Sequence, residues 1–242
     1  MGTHTGRAPL RLVRSGARGR TLAVLHPALA SRYVRLVAAV APTIEAGLSP
    51  AVAANRVRAA SVDPPLLRLR PFEAERAAFR RRLVELAAAR PFLLFADVRA
   101  CFGSIAPSVV GSSLTALACD AHPTTEVVAL LRRLGSLGVR GLPVGPEPSA
   151  VLANAVLASI DRALRARRLP HLRWVDDIVV GVAGPGEAAD ALDRLAEVLA
   201  SQGLELNRRK TRVVVGAVAA ADALPVSPGP REASPLPRRR LG

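Results

Sequence analysis

The stretch HLRWVDDIVV at residues 171–180 places Asp176 and Asp177 between two runs of strand-forming residues. This pattern predicts a β-hairpin with both carboxylates at its tip. Two-residue hairpin turns usually carry Asn-Gly or Asp-Gly, because they need positive φ angles. Adjacent carboxylates also repel each other unless a cation lies between them. The pair is therefore either an uncommon turn or one side of a cation site, and these ten residues leave both interpretations open.

The segments on either side of the hairpin complete the fold pattern. A short apolar run, PFLLFADV at residues 91–98, predicts a buried strand that ends at Asp97, and residues 212–215 predict another strand. Apolar residues recur at helical spacing over residues 22–40, 43–58, 71–89, 109–118, 126–134, 149–167 and 188–202. These elements predict an α+β fold in which helices pack on one face of an antiparallel sheet.

Charge indicates the class of partner. The 242-residue chain has a net charge of +15, and Lys210 is the one lysine among its 34 basic residues. Such an excess favours a polyanionic partner such as nucleic acid, because guanidinium groups match phosphates and binding releases counterions. A GC-rich genome explains the choice of arginine over lysine equally well, but it does not explain the shortage of acidic residues.

Cysteine content and hydropathy indicate the compartment. Cys101 and Cys119 are too few for a disulfide framework or a zinc site, which favours the cytoplasm. No apolar run approaches the roughly 18 residues of a membrane span, and the basic N-terminus lacks the apolar core of a secretory signal. We expect a cytoplasmic protein without a membrane partner.

Four segments occur in an order that resembles a known family. They are FADVRACFGSI, GLPVGPEPSAVLAN, RWVDDIVV and LELNRRKTRVV, which begin at residues 95, 141, 173 and 204. Their order and spacing resemble motifs A, B, C and D in the palm of reverse transcriptases, above all the bacterial retron, group II intron and abortive-infection enzymes. The resemblance implies a right-hand polymerase palm preceded by a helical, fingers-like region.

The acidic residues have a chemical reason to converge in such a palm. Phosphoryl transfer from a nucleoside triphosphate uses two hard cations bound through oxygens. Asp97 at a strand end and Asp176 at a hairpin tip could hold them, and Asp177 would complete the cluster. The resemblance adds the backbone carbonyl of Val98 as a metal ligand. It implies two Mg²⁺ ions, for which Mn²⁺ can substitute.

Phe102 bears on the choice between DNA and RNA synthesis. In the resemblance it occupies the position of an aromatic steric gate against the ribose 2′ hydroxyl, which implies deoxynucleotides. RNA-templated RNA polymerases with a similar palm usually have an Asp there, so an RNA polymerase is disfavoured. Taken alone, Phe102 would be read as a core residue.

The resemblance also assigns contacts in the second and third motifs. It implies nucleotide contacts by Phe102 and by the loop residues Gly141, Pro143, Val144 and Gly145. It implies primer or template contacts by Trp174, Ser149 and Asn154. Two of these positions depart from the family pattern: Val144 replaces a common Gln, and Trp174 replaces a Tyr or Phe.

Lys210 stands where motif D carries a lysine proposed to protonate the leaving pyrophosphate. Arginine holds its proton too tightly for this task, whereas a lysine amine can be tuned into range. Lys210 is therefore a fourth candidate catalytic residue, beside Asp97, Asp176 and Asp177. Arg68 and Arg70 are candidates for binding the triphosphate.

The expected organisation has four parts. They are a flexible basic arm at residues 1–20, a helical fingers-like region at 21–90, the palm at 91–220 and a disordered Pro/Arg-rich tail at 221–242. The residues after Lys210 lack the helical pattern of a thumb. Grip on the template-primer is therefore expected from a dedicated non-coding RNA, a partner protein or a homo-oligomer.

The predicted function is a reverse transcriptase that adds deoxynucleotides to a primer, with or without an RNA template. Its relatives serve phage defence or mobile elements. The alternative is a catalytically impaired, truncated palm that binds nucleic acid. Retention of an acidic cluster in so basic a protein speaks against that alternative, and the absent thumb pattern speaks for it.

Overall fold

Strand β5 lies near the middle of the main sheet and carries the first candidate carboxylate. In this computed structural model, residues 10–15 and 20–215 are described. The strands are β1 Leu10–Ser15, β2 Arg20–Leu25, β3 Val57–Ser61, β4 Leu66–Leu69, β5 Phe92–Asp97, β6 His171–Trp174, β7 Asp177–Val182 and β8 Arg212–Val215. The helices are α1 Pro27–Gly47, α2 Phe72–Ala89, α3 Cys101–Ser104, α4 Pro107–Ala116, α5 Ala121–Ser136, α6 Glu147–Ala166 and α7 Pro185–Ala200.

The main sheet has the order β6-β7-β5-β8, and every neighbouring pair is antiparallel. From Leu93 onward, every residue of β5 is buried, as expected for a strand covered on both faces. The register of β5 against β7 pairs Asp97 with Asp177. The strand predicted at residues 91–98, the hairpin and the strand at 212–215 are all confirmed.

Alternating side chains divide this sheet between two cores. Leu94 and Val180 belong to the larger core, which also contains side chains of α1, α5, α6 and α7. Leu93, Phe95 and Val179 point the other way, into a smaller core with α2. The α+β architecture is confirmed. In addition to the helices predicted on one face, α2 packs on the second.

The N-terminal region differs from the prediction. The helix predicted from residue 22 begins at Pro27, because Arg20–Leu25 pairs with Leu10–Ser15, a strand within the predicted arm. The helix predicted at residues 43–58 is wrong, since α1 continues to Gly47 and a β3–β4 hairpin follows. Glu45 accepts hydrogen bonds from Arg56 and from the amide of Val57, which turns the chain back at this point.

No helix in the described part of the chain is long and apolar enough to cross a membrane. Cys101 and Cys119 are both buried and are not joined in a disulfide. Most of the predicted arm and all of the tail at 221–242 lie outside the described residues.

Candidate active site

Carboxylates from two neighbouring strands meet at one end of the main sheet. Asp97 ends β5, Asp177 begins β7 directly opposite, and Asp176 occupies the turn between β6 and β7. The amide of Val98 donates to the carbonyl of Asp176 at 3.2 Å, which ties the end of β5 to the hairpin tip. The structure therefore brings together the three carboxylates that the sequence predicted.

The strand pleat decides which way these carboxylates face. Asp97 lies two residues after Phe95 and Asp177 two residues before Val179, so they share the sheet face of those residues. Trp174, the register partner of Asp177, belongs to the same face. The carboxylates of Asp97 and Asp177 therefore lie on the α2 side of the sheet.

Both oxygens of the Asp97 side chain have partners. Asn207 Nδ2 donates to Oδ1 at 2.7 Å, and Lys210 Nζ donates to Oδ2 at 2.8 Å. The amide of Asn207 also donates to the carbonyl of Asp97 at 2.7 Å, which docks the turn before β8 onto the end of β5. Lys210 thus lies in the site, as predicted, in an ion pair with a candidate metal ligand.

Burial and neighbouring charges shift the pKa values of the site. Burial, followed by the charges of Asp176 and Asp97, raises the pKa of Asp177 to about 7. The hydrogen bond to Asp97 raises the pKa of Lys210. In this arrangement Lys210 therefore holds its proton more firmly than usual, whereas a proton donor to pyrophosphate needs to release it.

The donor set fits a hard divalent cation, because carboxylate oxygens are the ligands that Mg²⁺ and Mn²⁺ prefer. As the side chains stand, no group of three or more His, Cys, Asp or Glu residues in the described ranges is ready to hold a metal ion. The contacts of Asp97 give a reason, since Lys210 and Asn207 use both of its oxygens. An ion that binds Oδ2 of Asp97 would compete with Lys210 for that oxygen.

Asp177 predicts a pH-dependent stability in the presence of a chelator. A carboxyl with a pKa of about 7 in the folded chain and 3.8 ordinarily binds its proton more tightly when folded. Stability should therefore fall as pH rises from about 4 to about 7, and the penalty should be complete above that range. The difference in unfolding free energy between Asp177→Asn and the wild type should increase, in favour of the variant, by about 2–4 kcal/mol from pH 5 to pH 8.

Chemical denaturation at the two pH values measures this gain. Asp190→Asn, on the exposed face of α7, is the matched control and should show no such difference. A pH-independent effect of Asp177→Asn would contradict the prediction.

A cavity of about 190 Å³ adjoins the carboxylates between the sheet and α2. Its lining includes Asp97, Asp177, Lys210 and the arginines Arg76, Arg80 and Arg212. Trp174 lies in its wall, with its ring centroid 5.5 Å from that of Phe72 and 5.5 Å from that of Phe79. The cavity thus combines cationic and aromatic groups beside the acidic cluster, a combination suited to a nucleotide.

The glycine-rich loop of the second motif lies against the turn that carries Phe102. The amide of Leu142 donates to the Phe102 carbonyl at 2.8 Å. Gly141 has a φ of +61°, and a Cβ there would lie 2.7 Å from the carbonyl carbon of Gly103, so only glycine fits. Val144 accepts a hydrogen bond from the amide of Ala23 on β2. The first two motifs therefore meet through backbone contacts.

Two of the residues predicted to contact primer or template, Ser149 and Asn154, lie in the core. Ser149 is fully buried and hydrogen-bonds the Tyr33 hydroxyl at 3.0 Å. Asn154 is also buried and donates to the carbonyl of Ala54 at 2.8 Å. The reason is that both lie on the core-facing side of α6, which packs on the sheet face opposite the carboxylates.

The two arginines that are candidates for binding the triphosphate, Arg68 and Arg70, have different environments. Arg70 forms ion pairs with Glu45 at 3.1 Å and Glu75 at 3.8 Å, so its charge is already engaged. Arg68 is exposed on β4, and its charge opposes the rise that burial causes in the pKa of Glu147, at the start of α6. Arg68 is therefore the better candidate for a phosphate contact.

Sequence reasoning missed three residues that support the site: Asn207, Arg173 and Asp161. Asn207 holds Asp97. Arg173 and Asp161 form a buried ion pair below the hairpin, with Nη2 2.7 Å from Oδ2. An arginine between Leu172 and Trp174 in a predicted strand was the available signal for this pair, because a buried arginine must find a partner.

A match to a protein-family model shows the family of this chain. The model for the reverse transcriptase (RNA-dependent DNA polymerase) domain matches residues 48–235, which is more than half of the chain. The chain therefore belongs to the reverse transcriptase family, as the four motifs indicated.

The chain is also similar to part of a larger solved structure. A telomerase from Candida albicans, solved in complex with a TWJ fragment of telomeric RNA, is similar in structure, with 14% sequence identity and a TM-score of 0.43. The similarity covers 57% of this chain and 30% of the telomerase chain, so this protein spans about a third of that relative. No curated protein matches the chain.

Proposed function

We propose that this protein adds deoxynucleotides to a primer on an RNA template by two-metal phosphoryl transfer. The register pair of Asp97 and Asp177 supports this most directly, because it brings two carboxylates together on one sheet face. Asp176 adjoins them in the hairpin turn. Two divalent cations, Mg²⁺ or Mn²⁺, would activate the primer 3′ hydroxyl and neutralise the leaving pyrophosphate.

Each side chain has a proposed task. Asp97, Asp176 and Asp177, with the carbonyl of Val98, would hold the cations. Lys210 would donate a proton to pyrophosphate once it leaves Asp97. The loop at residues 141–145, which lies on the Phe102 turn, would contact the incoming nucleotide. Arg76 and Arg80 on α2 line the cavity beside the carboxylates and could contact phosphates.

Incorporation of labelled dNTPs with Mg²⁺ or Mn²⁺ tests the proposal. We expect elongation of a DNA primer on an RNA template by the wild type. Elongation without a template would indicate untemplated synthesis, which the departure at Val144 allows. Specific RNA binding without incorporation under any of these conditions would contradict the polymerase.

Phe102 predicts sugar selectivity. Its ring is half-buried and packs on the large core, and its carbonyl is held by Leu142. If the ring excludes the 2′ hydroxyl, Phe102→Val should raise the efficiency with rNTPs relative to dNTPs by about 10²-fold. Primer extension with each sugar measures this ratio, and Phe92→Val at the opposite end of β5 is the matched control. Equal loss with both sugars would mean that Phe102 is only a core residue.

A nucleic-acid-binding palm without catalysis is the second candidate. The observation that favours it is the ion pair between Lys210 and Asp97, which engages a candidate metal ligand. Template-primer and dNTPs are the proposed partners in the first case, and RNA or DNA alone in the second. A role in phage defence or a mobile element, a cytoplasmic location and an added partner that grips the duplex remain predictions.

A further inference from the structure

The tip of the β6–β7 hairpin has an unusual backbone. Val175, which immediately precedes Asp176, has a φ of +56°. A β-branched residue rarely adopts this left-handed conformation, because its Cβ crowds the backbone. Such a conformation persists only where the surrounding structure holds it. The conformation of Val175 sets the direction in which the chain enters Asp176 and Asp177.

The contact that holds Val175 comes from below the hairpin. Arg173 is 0% exposed, and its Nη1 donates to the carbonyl of Val175 at 3.0 Å. The same Nη1 donates to Asn154 Oδ1 at 2.9 Å. The guanidinium therefore binds the backbone of the tip on one side and α6 on the other.

Asp161 fixes the guanidinium in this position. Arg173 Nε lies 3.1 Å from both oxygens of Asp161, and Nη2 lies 2.7 Å from Oδ2. Burial alone would raise the pKa of Asp161, but the charge and the hydrogen bonds of Arg173, together with the nearby His171, lower it to about 2. Asp161 is therefore ionised, and its carboxylate orients the planar guanidinium of Arg173. The Nη1 of that guanidinium then points to the carbonyl of Val175.

The backbone of Arg173 is anchored as well. Its amide donates to the carbonyl of Ala51, and its carbonyl accepts from the amide of Ala53, both at 2.9 Å. Asn154 reaches the same segment through the carbonyl of Ala54 at 2.8 Å. Helix α6, the segment before β3 and the hairpin are thus joined at one buried residue, Arg173.

We infer that Arg173, oriented by Asp161, is a positioning residue that holds the left-handed Val175 and thereby aims Asp176 and Asp177 at the metal ions. This inference rests on the proposed function. It predicts that the arginine acts on metal affinity through the backbone of the tip, beyond its contribution as a buried ion pair.

A paired replacement separates the two roles. Replacing a buried ion pair with apolar residues of similar volume is often neutral or stabilising. The double variant Arg173→Met/Asp161→Leu should therefore remain folded by circular dichroism and melt within a few degrees of wild type. Because the donor to Val175 is lost, its Mn²⁺ affinity, measured by electron paramagnetic resonance, should fall about tenfold or more. Wild-type affinity in this folded variant would overturn the inference.

A rescue experiment tests the proposed route. Arg173→Lys keeps a positive charge beside Asp161 but lacks the guanidinium group that binds Asp161 and the carbonyl of Val175 together. Mn²⁺ affinity should therefore again fall about tenfold. Adding Val175→Gly should restore much of that affinity, because glycine adopts a positive φ without a steric cost. A purely structural ion pair gives no reason for such rescue, and its absence would overturn the inference.

The remaining outcomes are also decisive. Mn²⁺ binding by the wild type is measured both alone and with template-primer. If no Mn²⁺ binds in either condition, the proposed function fails and the inference fails with it. If the wild type binds Mn²⁺ and the variants bind it equally well, only the inference fails. If both Arg173→Lys and the double variant unfold, the ion pair supports the whole fold, and the specific role at the tip is overturned.

Discussion

Replacing Asp97 with asparagine should reduce primer extension at least about 10³-fold, because the substitution removes a charge from the proposed metal site. Asp97 is 4% exposed and has nearly the same shape as asparagine, so the packing around it should survive. The loss should appear in kcat, and the KM for the template-primer should change little. Mn²⁺ affinity should fall with the rate.

The neighbours of Asp97 make a second readout necessary. Its oxygens accept from Asn207 and Lys210, and an amide replaces one acceptor with a donor. A melting curve with a chelator should therefore show a small change relative to wild type. Asp190→Asn, an exposed change of the same chemistry on α7, should leave extension intact. Wild-type extension by Asp97→Asn would contradict the proposed catalytic cluster.

Lys210→Met should affect metal binding and catalysis in opposite directions. The Nζ of Lys210 lies 2.8 Å from Asp97 Oδ2 and therefore competes with any cation for that oxygen. Without the ammonium group, Mn²⁺ should bind more tightly. Extension should nevertheless fall about 10²-fold or more, the usual contribution of a positioned general acid. Mn²⁺ titration and single-turnover extension measure the two effects separately.

The neighbouring Arg209 supplies the matched control. Arg209→Met removes one positive charge from the same exposed turn and should change Mn²⁺ affinity much less. Weaker Mn²⁺ binding by Lys210→Met would show that the lysine supports the site instead of competing for it. A slower rate with unchanged Mn²⁺ affinity would mean that the ion does not use the Lys210-bound oxygen.

Local sequence signals predicted most of the palm, because its elements have strong periodicity. The apolar run before Asp97 suited a buried strand, and the two runs around Asp176 and Asp177 predicted the hairpin that the structure has. Lys210 was recognised as the one lysine among arginines, and it does lie at the acidic cluster.

The N-terminal region was harder to predict because its local propensities are weak. Residues 57–61, VRAAS, combine one arginine with small and apolar residues, a composition that suits a helix or a strand. The structure makes it a strand, since Glu45 binds Arg56 and the amide of Val57 and so turns the chain after α1. These contacts join residues eleven and twelve positions apart, beyond the span that helical periodicity reports.

By itself, the sequence determined the family motifs, the strands that carry the acidic residues and the excess of positive charge. Only the tertiary structure decided which polar side chains reach the site. Ser149 and Asn154 belong to the second motif in sequence, yet they lie in the core, because the buried face of a helix depends on what packs against it. Arg173 found its partner Asp161 twelve residues earlier, on another element. Buried polar groups need partners, and their identity depends on packing between elements, which local sequence does not encode.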